Sequence, residues 1–590
     1  MEFTDQQIKI IEHTHGHLLV IAGPGSGKTR TIIEKIAYIF SEKIIPEPYG
    51  VLAITFTNSA ANEMSARLRK TGFIEWDRIF IGTFHSFSRY ILSCYGSDLG
   101  INENFDIADK ELQKVILNSI MVRADDRQIN NFLDLIERNK REGIYPDDFS
   151  ASLERSFNEV YKTYQLELRK RNLLDYSDLI YYAVKLVKGS NLVSRLYKNF
   201  FRYIFVDEFQ DTDHQQLELV KLFSVDAIGS TIVADDDQSI FGWRGADRTN
   251  IDLIMSKLNS EYKELGTNFR SDQIIVEAAN AVIRQETSRR DKNIQANSNE
   301  LGKIYLNCYE DEIQEAKTIS ETIHYFTNIN KITDLGQFAI IARVRYRTNC
   351  VIKQLRKNGI KCFDRSKLKF EEGWDTLLML SVLGQACVPE SSDRFYNLLS
   401  AIDTGAISFK LGLDDALRFT LEIKNKILRD VLCEPTKASI STILESSDFW
   451  SILRICCWSD ADYQKRKQNL FNLIVCLVQT CIDGQISLID AIDQLAGIGA
   501  VQILSGQEAK GREFDFVFFI GLEDGLIPDY RSFDNESQLS EERRIFYVAM
   551  TRAKRELFLS YVSKRMMRWG EIKAQPSRFI KAIPREMFTQ

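Results

Sequence analysis

The stretch Ala22-Gly23-Pro24-Gly25-Ser26-Gly27-Lys28-Thr29 joins an apolar run, LLVIAG (18–23), to an amphipathic one, TRTIIEKIAYIF (29–40). A buried strand that ends in a glycine-rich turn and leads into a helix gathers backbone N–H groups at the positive end of that helix. Phosphate oxygens bind there. In such a loop Lys28 reaches the β- and γ-phosphates, and the Thr29 hydroxyl holds magnesium. The pattern G-x-x-x-x-G-K-[ST] begins with glycine, where this chain has Ala22.

A phosphate loop needs an acid for the metal and another for the attacking water. Asp207-Glu208 stands at the end of the apolar run YIFV (203–206), where ligand-facing residues of a parallel sheet gather. Asp207 is expected to hold magnesium through water, and Glu208 to act as general base or to position the water. Gln210-Asp211 follow directly, which separates this segment from an ordinary acidic turn. The expectation is an ATPase using ATP and Mg2+.

Further runs of the same kind surround this pair. VLAITFT (51–57), RIFIGTF (78–84) and TIVADDD (231–237) belong to one zone; FAIIAR (338–343), VQILSG (501–506), DFVFFIGL (515–522) and ELFLSYV (556–562) form a second. Short apolar runs ending in small or polar residues suit parallel strands covered on both faces. Residues 88–198 and 370–498 are instead helix-patterned. The fold class is therefore α/β, with two parallel-sheet cores, each interrupted by a mostly helical insertion. The expected division assigns 1–87 and 199–274 to the first core, with 88–198 inserted in it. The second core takes 275–369 and 499–590, with 370–498 inserted.

The totals narrow the function classes. No run of about 18 apolar residues exists and the start, MEFTDQQIKI, is no signal peptide, so the expected address is cytoplasmic, without membrane contact. None of the ten cysteines falls in a Cys-x-x-Cys pair, so no zinc or iron–sulfur site is expected. A net charge of -6 argues against wholesale coating of nucleic acid, though not against a local basic groove. The segment Arg343–Lys369 holds ten Lys or Arg and one acid, Asp364. It reads equally as a solvated helix face or as a surface for a phosphate backbone.

The order of motifs resembles the UvrD/Rep/PcrA group of superfamily 1 DNA helicases. FTDQQIKII (3–11), the phosphate loop, ITFTNSAANEM (54–64), IGTFHSF (81–87) and FVDEFQDTDHQQ (205–216) come in the group's order. VADDDQSIFGWRGA (233–246), LGTNFRS (265–271), EAKGREFDFVFFIGLEDGLIP (508–528) and EERRIFYVAMTRAKREL (541–557) follow in turn. The resemblance implies two RecA-like P-loop cores and assigns roles position by position. Gln7, Arg30 and Phe269 would surround the adenine, Phe269 standing where the group commonly has Tyr, and Glu513 would bind the ribose. Gln238 would sense the γ-phosphate. Arg270 and Arg552 would be arginine fingers, stabilising charge on the transferring phosphoryl group.

On the nucleic-acid side the resemblance points to Phe56, Thr57, Thr83, His85, Phe241, Trp243 and Arg244, and through a gapped match to Trp569. Aromatic faces that stack on bases would bind single-stranded DNA without regard to sequence. Core packing stays open for Phe56 and Phe241, and internal hydrogen bonding for Thr83 and His85. Gln507 and Glu508 stand where the group usually has His and Ser. A carboxylate near a phosphate backbone repels it, so weaker coupling to unwinding is expected. The implied activity is an ATP-dependent helicase or translocase moving 3′ to 5′ on single-stranded DNA and tailed duplexes. The alternative is a DNA-stimulated ATPase without productive unwinding, in a repair or anti-phage defence complex. With few residues after Arg552, no appended nuclease is expected, and a separately encoded nuclease or repair protein stays open as a partner.

Overall fold

The computed structural model describes residues 2–146, 155–286, 289–368, 460–484, 488–567 and 570–589, with isolated positions between 369 and 459. Two six-stranded parallel sheets form its two cores. The first runs in the order Ile79–Thr83, Gly50–Thr55, Phe201–Val206, Gly229–Ala234, Gly16–Ala22, Glu261–Leu265. Alternation along Gly16–Ala22 sends Leu18 and Val20 to one apolar cluster with Ile32 and Ile36 of the helix Lys28–Ser41. Leu19 and Ile21 go to the cluster on the other face, with Leu52, Ile204 and Ile232. Burial on both faces is why these strands read as unbroken apolar runs.

The second sheet runs Lys303–Tyr309, Ala553–Val562, Phe514–Ile520, Phe338–Ala342, Val501–Ser505, Cys362–Phe363. Phe516 and Phe518 pack on one face and Val517 and Phe519 on the other. The architecture is α/β, with helices inserted in each core.

Among the described residues, six α-helices lie between Ile79–Thr83 and Phe201–Val206, from Phe84–Tyr95 to Asn191–Phe200. The helix Phe84–Tyr95 crosses the expected boundary at 87/88, and its Phe84, Phe87, Ile91 and Leu92 pack beneath the first sheet. The helix Tyr176–Gly189 adds Leu179, Ile180 and Val184 to the same cluster. The remaining inserted helices have a small core of their own around Ile116, Ile129, Leu133, Tyr161 and Tyr164. There the buried Lys140 ammonium lies 2.5 Å from Asp175 and 2.7 Å from Asp178. Most of the expected insertion at 370–498 lies outside the described residues, which include its helices Asp460–Gly484 and Leu488–Leu495. Among the described residues no helix is long and apolar enough to cross a membrane.

This strand order sets the C-terminal ends of Phe201–Val206, Gly229–Ala234 and Gly16–Ala22 side by side. Asp207, Asp235 and the glycine-rich loop therefore meet at one edge, facing the second core.

Candidate active site

Ala22 ends its strand fully buried and in extended backbone, a conformation that costs an alanine nothing. The glycines that matter come later. Gly25 and Gly27 have φ of 67° and 78°. A Cβ on Gly25 would lie 2.7 Å from both Arg270 Cβ and Asn268 Oδ1. Only glycine meets both demands. The loop is fixed from outside as well: Phe269 N donates to Gly25 O at 2.8 Å, and the buried Gln7 donates from Nε2 to Ser26 O at 3.1 Å. Gln7 is itself held by a capping box with Thr4 at the start of the helix Asp5–Ile11. The Arg30 guanidinium lies 4.3 Å from the centre of the Phe3 ring, a neighbour that the motif reading did not single out.

Thr29 Oγ1 donates to Asp207 Oδ2 at 2.9 Å, and Lys28 Nζ lies 3.2 Å from Glu208 Oε1. Glu208 adopts φ 54°, in the left-handed region that a non-glycine residue rarely visits, which turns its carboxylate toward the loop. Burial and the neighbouring Glu208 push the Asp207 carboxyl up to about 6. Glu208 is held well below the usual carboxylate range: burial opposes this, and the Lys28 and Lys510 ammonium groups outweigh it. Two adjacent buried acids are thus driven apart, and Glu208, nearest the two ammonium groups, is the one that stays ionised. Lys28 Nζ is buried, and its contact with Glu208 is an ion pair outside hydrogen-bond geometry. A buried ammonium with donors to spare, a glycine cradle and a hydroxyl–carboxylate pair together fit a nucleoside triphosphate with a divalent cation, which Thr29 and Asp207 would hold.

The second core closes this site. Lys510 Nζ donates to Asp211 and, at 2.7 Å, to Gln238 O, and lies 3.5 Å from Glu208 Oε2. Gln238 Nε2 donates to Asp235 Oδ2 at 2.6 Å, while its Oε1 accepts from Arg552 Nη2 at 3.3 Å. Arg552 is 1% exposed, and burial, reinforced by Arg270, pulls its guanidinium down to about 9. Arg270 donates from Nε to Glu513 Oε2 at 2.8 Å and from Nη1 to Thr551 O at 3.2 Å. Against the effect of burial, Arg270 and Lys554 hold the Glu513 carboxyl at about 2. Lys28, Thr29, Asp207, Glu208, Gln238, Arg270 and Arg552 are thus brought into one connected set. Lys510 belongs to it and was missed by the motif reading, although it sits two residues from Glu508 in a quoted motif.

On the adjoining surface, Phe56 and Phe241 are half-buried and stack on each other, ring centres 5.3 Å apart and planes 22° from parallel. Phe241 also packs against the second core. Trp243 is 62% exposed, and the Arg244 guanidinium lies 4.7 Å from its ring centre. Thr57 and Thr83 spend their hydroxyls as helix caps, accepting from Ala60 N and Ser86 N. His85 packs edge-on against Tyr176 at 5.8 Å, and burial, with Arg141 and Arg244 nearby, lowers its imidazole to about 4. Trp569 lies outside the described residues. Glu508 is not the free charge expected: it accepts from Ser505 N at 2.9 Å and pairs with Arg345. Arg345 also meets Asp364 at 3.0 Å, Lys367 lies 3.4 Å from the same carboxylate, and Arg343 pairs with Glu542, so at least three of the basic residues from 343 to 369 are compensated internally.

Residues 3–263 match the family model of the UvrD/REP helicase N-terminal domain, and residues 264–383 with 459–564 match that of the UvrD-like helicase C-terminal domain. The chain is 30% identical to a Staphylococcus aureus protein described as ATP-dependent DNA helicase PcrA, covering 99% of this chain and 86% of that protein. The Bacillus subtilis protein of the same description is 31% identical, over 98% of this chain and 85% of its own length.

Proposed function

The chain belongs to the UvrD/REP helicase family, and from that premise we propose an ATP-driven motor that moves 3′ to 5′ along single-stranded DNA and separates the duplex ahead of it. The observation that carries this reading is the hydrogen bond between Arg552 of the second core and Gln238 of the first, three residues before Phe241 of the half-buried, stacked Phe56–Phe241 pair. Closure of the cores around the nucleotide can therefore be felt by residues facing DNA.

In this reading Lys28 grips the β- and γ-phosphates, and Gln7, Arg30 and Phe269 surround the adenine, with Glu513 directed to the ribose. Thr29 and Asp207 would hold magnesium, which would supply positive charge against that building on the phosphates. Glu208, kept ionised by Lys28 and Lys510, takes the proton of the attacking water. Arg270 and Arg552 stabilise the charge of the transferring phosphoryl group, and Gln238 senses its presence. Phosphate release removes what held the cores together, and the cleft reopens. Trp243, Arg244, Phe56 and Phe241 grip successive bases during this cycle, with Thr57, Thr83 and His85 beside the backbone.

The alternative, a translocase without productive unwinding that works beside a separate nuclease or repair protein, draws support from Glu508: its pairing with Arg345 removes a cation from the DNA-facing surface. A duplex with a 3′ or a 5′ single-stranded tail, ATP and magnesium tests the proposal. Strand separation of the 3′-tailed duplex is expected. DNA-stimulated hydrolysis without separation of either duplex would leave the alternative.

A further inference from the structure

Lys292 lies far from the motifs yet is 3% exposed, with its ammonium enclosed by three carboxylates. Nζ is 2.7 Å from Asp235 Oδ1, 2.7 Å from Asp236 Oδ1 and 2.8 Å from Asp237 Oδ2. The three acids are themselves at most 2% exposed. Asp237 also takes two bonds from Arg289, at 3.2 and 2.9 Å, and Asp236 accepts from Arg290 N at 3.1 Å. Three carboxylates this close would otherwise repel one another or attract a cation; here Lys292 supplies the cation.

The other oxygen of Asp235 is the one that accepts from Gln238 Nε2. With Nε2 fixed there, the Gln238 amide has one orientation left, with Oε1 toward Arg552. The Asp235 backbone closes the set from the other side, donating from N to Gln210 Oε1 at 2.8 Å, while Gln210 Nε2 donates to Glu208 Oε2. A continuous line of bonds therefore runs from Lys292 through Asp235 to Gln238, and from Asp235 through Gln210 to Glu208.

The segment that carries Lys292 touches the phosphate loop as well. Ile294, two residues on, is so close to Gly23 that a Cβ there would lie 2.6 Å from Ile294 Cδ1. The adjoining Gln295–Ala296 pairs with Thr267–Asn268, the strand that leads to Arg270.

We propose that Lys292 is a positioning residue for ATP hydrolysis: by pairing with Asp235–Asp237 it holds the Asp235 carboxylate in place and so fixes the Gln238 amide toward Arg552. This inference rests on the proposed role of Gln238 in hydrolysis. Lys292 touches no part of the nucleotide loop, so its loss acts on turnover and not on nucleotide capture.

Steady-state ATP hydrolysis with saturating oligo-dT separates the possibilities. Lys292→Met is expected to lower kcat about 10- to 100-fold, the cost of misplacing a reacting group by about an ångström, with KM for ATP within about twofold. Lys292→Arg, which keeps the charge, is expected to recover most of the loss. Lys292→Met removes the cation shared by three buried acids, leaving Arg289 on Asp237, and can unfold the chain, so Asp235→Asn is the companion variant: it removes a buried charge, retains the volume, and is expected to lower kcat alone. An unchanged kcat in Asp235→Asn, or an equal rise in KM in either folded variant, would overturn the inference. Gln238→Ala serves as the control: if it retains full turnover, the reading of Gln238 fails; if it loses turnover while Asp235→Asn does not, only the role of Lys292 fails.

Discussion

The Lys28 ammonium is buried and ion-paired with Glu208 at 3.2 Å, and its remaining donors are available to a phosphate. Lys28→Ala should abolish ATP hydrolysis while leaving single-strand DNA affinity within about twofold, because its partners lie on the nucleotide side. Hydrolysis by that variant in a steady-state phosphate assay would reject the assignment. Trp243 offers the opposite case. It is exposed beside Arg244, and Trp243→Ala should weaken oligo-dT binding by about 1–3 kcal/mol, read by fluorescence anisotropy. Unchanged affinity would return the indole to a packing role. Single residues were legible where chemistry demands a residue type: Thr29 and Asp207, far apart in sequence, meet at 2.9 Å. They were illegible where chemistry is supplied by distant contact. Nothing in the local pattern around Lys292 foretells three aspartates, because the pairing is made by the fold.

At the scale of elements, the helix Lys28–Ser41 carries both the phosphate site and a buried liability. Lys35 is 2% exposed and its ammonium donates to Thr231 Oγ1 at 2.8 Å. Burial pulls the amine down to about 7, far below the value of about 10.4 for an unfolded chain. The unfolded state therefore binds more protons between these values, and the native state gains stability as pH rises from about 7 toward 10. Lys35→Met should raise the thermal midpoint at pH 7 and flatten that pH dependence; an equal slope in both proteins, followed by circular dichroism, would contradict it. The strands were readable because burial on both faces writes continuous apolar runs. The edge of the first insertion was not readable. Phe84 and Phe87 open a helix whose apolar face continues the sheet's own core, so no change of pattern marks position 88. The pairing of Glu508 with Arg345 was hidden for the same reason as Lys292: two loops meet only in the folded chain.

Across the whole molecule, the two sheets are joined at the nucleotide site by polar contacts more than by shared apolar core. Lys510 reaches Asp211 and Gln238, Arg544 donates to Ser239 O at 2.6 Å, and Arg552 meets Gln238. Polar junctions of this kind can be broken and remade with modest cost, which suits cores that close and reopen each cycle. Conversely, every such contact is a place where the second core can control chemistry on the first. The most direct test of the account is therefore the rate of ATP hydrolysis with saturating single-stranded DNA in the protein and in Arg552→Ala. DNA-stimulated hydrolysis is expected in the unaltered chain, with a loss of about 10³-fold or more in the variant, the scale of an arginine finger's contribution, and with nucleotide still bound. Hydrolysis by Arg552→Ala at the unaltered rate would contradict it, since the ATP site would then be complete within one core.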